Sequence, residues 1–137
     1  MPPSGRQRAA LRKVDAVTEY IALWNRYFSF FSDEQSSIDD SAQAEFEFLQ
    51  VVQALVLKHY PLVGLLHEHL DDGANILKLL QSNVSLGQIK TMADTEFDRM
   101  QVSWHEIFLQ LCKVRGRLEH EIPVKVLEEY QATRQAA

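Results

Sequence analysis

The chain has 137 residues, ordinary apolar (46%) and charged (24%) content, and a net charge of −5. That length fits one domain over 1–137 with its own core, and five glycines with four prolines favour a few long helices over many short strands. A single cysteine, Cys112, excludes an internal disulfide and points to a reducing compartment.

The charge is unevenly spread. Arg6, Arg8, Arg12 and Lys13 sit in the first 13 residues without an acid. The remainder carries ten Lys and Arg against nineteen Asp and Glu, a net of −9. Such an acidic body lacks the basic stripe of a general nucleic-acid binder. The start also lacks the apolar segment of a secretory signal. No apolar run reaches the ~20 residues of a spanning helix. A cytoplasmic protein with no membrane span is the expectation.

The first predicted helix covers about residues 7–31. Leu11, Val14, Val17, Ile21, Trp24, Phe28 and Phe31 recur at steps of three and four, with Tyr20, Tyr27 and Phe30 widening the stripe. So many rings exceed one narrow seam: either they make a thick aromatic core, or part of the face meets a partner chain or a ligand. Ser32 to Gln43 reads as an acidic linker, and Asp40 with Gln43 resembles a capping box. A second helix follows over about 41–59. Phe46, Leu49, Val52 and Val56 mark one face, while Phe48, Val51, Leu55 and Leu57 make the rest apolar, which predicts a central helix.

Pro61 is expected to bend or end that helix. A further piece over about 62–70 then stops at Asp71-Asp72-Gly73, with Glu68 and Asp71 outward. Ala74 to Ser82 makes a short helix with Ile76, Leu77 and Leu80 inward. Ser85 with Gln88 is a capping box for a long helix over about 86–120, about 50 Å at 1.5 Å per residue. Along it Phe97, Met100, Trp104, Ile107, Leu111, Val114 and Leu118 keep an unbroken a/d spacing. Pro123 opens a short last helix with a thin apolar edge at Val124, Leu127 and Tyr130. Residues 1–6 and 132–137 are expected to fray. The fold class is therefore all-α: an antiparallel four-helix bundle-like domain with a kinked or broken second helix and a short C-terminal helix.

Chemistry-bearing patterns are sparse. There is no Glu-x-x-His, HExxH, GxSxG, phosphate loop or GxGxxG. His67 and His69 lie about 160° apart around a helix and cannot share an ion. His67 and Asp71, four apart, supply two ligands where a structural zinc site needs four. A metal site would have to assemble across helices from His59, His69 and His105. Cys112 beside the seam reads as a small buried hydrophobe. Neither catalytic residues nor a cofactor follow from the sequence. The expectation is a non-enzymatic interaction module, a homo-oligomer or one that docks a protein partner. Its interface is placed at Tyr20, Trp24, Tyr27, Phe31 and Trp104. The alternative is a small-ligand or metal-binding bundle using histidines near the Pro61 corner.

Overall fold

A computed structural model describes residues 4–67, 69–70 and 74–136, with side chains to 134. Among these residues the fold is all-helical. Helix α1 (Gly5–Ser29) begins at a complete capping box: Ser4 Oγ accepts from the Gln7 N–H, and the Gln7 side chain accepts from the Ser4 N–H. Its buried stripe is Leu11, Val14, Val17, Tyr20, Ile21, Trp24 and Tyr27.

The linker is more structured than its composition suggests. A 3-10 turn spans Gln35–Ser37, and Ile38 is buried in the core. Helix α2 (Ala42–Leu65) is capped by Ser41, whose hydroxyl accepts from the Ala44 N–H, and not by Asp40. Asp39 takes the Ser41 N–H instead, and Gln43 turns along the helix to Glu47.

Of the two outcomes expected at Pro61, a bend or an end, the end does not occur: α2 runs through it to Leu65. Pro61 lacks the N–H that would bond to the Leu57 carbonyl, but both residues are exposed, so the lost bond falls on the solvent side of the helix. Leu62, Leu66 and Leu70 carry the buried line onward, with Val63 half-buried and Leu65 exposed. The proposed stop at Asp72-Gly73 and the outward Glu68 and Asp71 lie outside the described residues.

Helix α3 (Ala74–Ser82) buries Ile76, Leu79 and Leu80. The single helix expected over 86–120 is two: α4 (Leu86–Thr91) and α5 (Asp94–His120). Met92 and Ala93 are extended between them. Asp94 and Glu96, acids in the first turn of α5, favour a new N-terminus there through the helix dipole. All seven seam residues from Phe97 to Leu118 are buried. Helix α6 (Val124–Ala136) buries no residue among its described side chains.

The long helices meet around α1. It packs along both α5 and α2, and α3 bridges α2 and α5. The partners run antiparallel to it: Tyr20 meets Leu55 while Tyr27 meets Phe48, and Trp24 meets Trp104 while Phe31 meets Gln101. The helix expected to be central, α2, therefore lies on the outside, and α1 takes the centre.

Candidate interaction surface

The aromatic residues assigned to an interface are the chain's own core. Tyr20, Trp24, Tyr27, Phe31 and Trp104 are each 2% exposed or less. The indoles of Trp24 and Trp104 lie parallel at 6.0 Å. Trp24 Nε1 donates to the Trp104 carbonyl (3.2 Å), and Trp104 Nε1 donates to the Trp24 carbonyl (3.0 Å). The Tyr27 ring sits between Phe31 and Phe48, at 5.0 and 5.6 Å. The Tyr20 hydroxyl donates to the Leu55 carbonyl. Burial raises the Tyr20 and Tyr27 hydroxyls far above the ordinary phenol range. The expectation of surplus ring surface on α1 is corrected: two helices pack on it, from opposite sides of the stripe, and use every ring of that set.

The three histidines considered for a metal do not converge on a ligand set. His59 is 3% exposed on α2, its ring edge-on to Tyr60 at 5.1 Å. Its Nδ1 makes no hydrogen bond to the described residues, and burial holds its pKa below the ordinary histidine value. His105 is exposed on α5 against Phe28 and Trp104, and His69 is half-buried beyond the end of α2. Among the described residues no three His, Cys, Asp or Glu side chains are grouped to hold an ion. Cys112 is half-buried rather than sequestered.

A groove of about 590 Å³ lies between α3, α4 and α5. Leu79, Met100 and Ile107 line it together with Lys78, Arg99, Glu96 and Glu106. The opposite charges are matched two against two. Of its two serines, Ser82 donates its hydroxyl to the Lys78 carbonyl within α3, so it is engaged as a helix hydroxyl and not poised against a base.

The feature without an internal explanation is the outer face of α2. Its inner face is Ala44, Phe48, Val51, Leu55, His59 and Leu62. On the opposite side Phe46 is 57% exposed, Leu49 48%, Leu57 77% and Tyr60 68%. Val52, Val56 and Val63 form a half-buried shoulder beside them. No charged residue occurs from Phe48 to Leu57. Among the described residues α2 is the one helix long and apolar enough to cross a membrane, with 28% of its most apolar stretch buried.

The sequence already held this face, as the Phe46, Leu49, Val52, Val56 row. Apolar residues on both sides gave no sign of which side turns inward. The choice is made by tertiary contacts: Glu45 beside the row reaches the amides of Leu86 and Gly87 at the start of α4, and Phe48 on the other side enters the Tyr27 and Phe30 rings. No protein-family model, no curated protein and no solved structure matches this chain.

Proposed function

We propose that this chain is a non-catalytic helical interaction module whose docking element is the outer face of α2. The scaffold for this role is bundle-like and antiparallel: α1, α2 and α5 supply three rods, and α3 with α4 stands in the fourth position. The observation that carries the reading is the row of large apolar side chains on α2, 48–77% exposed along a helix of 24 residues. Contiguous apolar surface of this kind is scarce on chains that work alone, and it marks contact sites. Full transfer of one such side chain from water gains roughly 1.5–3 kcal/mol, so four partly exposed ones supply a gain of the same order as the cost of association.

A photo-cross-linking amino acid at Leu57, compared with the same probe at Val124 on α6, tests this. Val124 is exposed to a similar degree, 69% against 77%, but stands apart from the row. The expected result is an adduct of discrete mass from position 57 alone, abolished when Phe46→Glu is added. Equal yields at the two positions, or an adduct indifferent to Phe46→Glu, would overturn the proposal.

A further inference from the structure

The outer face of α2 has a register that complements itself. Phe46, Leu49, Gln53, Val56, Tyr60 and Val63 follow one another by alternating steps of three and four, the spacing of a coiled-coil seam. In an antiparallel pair the first position of each heptad step meets the second position of the other helix. One register satisfies this for every layer at once: Phe46 opposite the second copy's Val63, Leu49 opposite its Tyr60, and Gln53 opposite its Val56. Each aromatic ring then meets an aliphatic side chain instead of its own image. The two-fold axis passes level with Ala54 and Leu55, so the two Gln53 side chains flank it, about 4.5 Å apart along the helices. An amide carries both donor and acceptor and can pair with its own copy.

We infer that the occupant of this face is a second copy of the chain, docked antiparallel through α2; this rests on the interaction reading above. The area is sufficient. Exposures of 48–77% at Phe46, Leu49, Leu57 and Tyr60 leave roughly 500 Å² of these residues per chain, so two copies offer about 1,000 Å², the least a specific interface needs. The glutamines and half-buried valines alongside extend it. Charge favours the same choice. Two chains of net charge −5 repel least through the face that carries none. A lipid surface fits less well. Helices that lie on membranes carry Lys and Arg beside the apolar face, whereas α2 has Glu45, Glu47 and a Lys58 already paired with Glu19.

The test uses the full chain with Cys112→Ala, so that each introduced thiol is unique. Sedimentation equilibrium across the micromolar range should return the mass of a dimer. Leu57→Glu should weaken it by at least about tenfold with helical circular dichroism unchanged. Diamide oxidation of an equimolar mixture of Phe46→Cys and Val63→Cys chains should give a mixed disulfide dimer. Either variant alone should stay reduced, its two thiols being about 25 Å apart across the axis. Cross-linking of Phe46→Cys with itself would overturn the antiparallel register. A monomer throughout, whose Leu57 probe captures a different protein, would overturn this inference and leave the interaction module standing. A monomer whose probe captures nothing would overturn both, as would a monomer that floats with phosphatidylcholine vesicles.

Discussion

Trp24 and Trp104 each donate an indole N–H to the other's backbone carbonyl, so one contact ties α1 to α5 twice. Those carbonyls lie inside helices, so loss of an indole donor removes a bond without stranding its acceptor. Trp104→Phe should therefore cost about 1–3 kcal/mol, measured by urea unfolding, from one lost bond and a partly filled void. His59 makes a different prediction. Its pKa is depressed by burial, so the unfolded chain binds its proton more readily than the folded one. Its stabilising contribution is complete above the ordinary value of 6.5 and is lost as pH falls through the folded value. Acidification from about pH 7.5 to about pH 5 should lower the urea midpoint, in a range where most carboxylates stay ionised. In His59→Leu the loss should be smaller. An equal loss in both chains would assign the pH dependence elsewhere.

At the scale of elements, periodicity located the buried stripe of α1 and the whole seam of α5, because each has a single apolar face and the other is charged. It could not orient α2, where apolar residues stand on both sides and long-range contacts decide. The division between α4 and α5 was equally illegible as pattern. Its acidic first turn lies in the sequence, but the groups that hold α4 in place come from far away. Gln35, in the linker, donates its amide to the Ile89 and Met92 carbonyls at the C-terminal end of α4, and Glu45 accepts from two amides at its start. A helix of six residues has little stability of its own, so these two side chains fix it. The Ser85–Gln88 capping box is half present. The Ser85 hydroxyl accepts the Gln88 N–H, while the Gln88 side chain takes the Val84 N–H and donates to the Ser82 carbonyl. Glu45→Ala should accordingly cost about 1–2 kcal/mol and speed amide exchange at Leu86 and Gly87 above that at Leu111. Uniform acceleration through α5 would show that α4 has no separate hold.

Across the whole molecule, stability is unevenly distributed. The buried cluster runs from Leu11 to Ile122, and α6 lies against it through half-buried Val126, Leu127 and Tyr130. It is tethered at Asp15, which accepts from the Tyr130 hydroxyl and pairs with Arg134. The Asp15 hydrogen bond raises the Tyr130 pKa. A chain ending at Pro123 should still unfold cooperatively, with its melting temperature lowered by only a few degrees. Loss of the cooperative transition would make α6 part of the core. The indole pair adds a property of another kind. The chain has two tryptophans, and they are the stacked pair at 6.0 Å. Both chromophores therefore occupy one spot on the α1–α5 boundary, buried and parallel to each other. Intrinsic fluorescence of this protein is a local gauge of that boundary, shifted to the blue when it is closed. The coupled transitions of two parallel indoles should also give a near-ultraviolet dichroism that vanishes when α1 and α5 part, even while both remain helical.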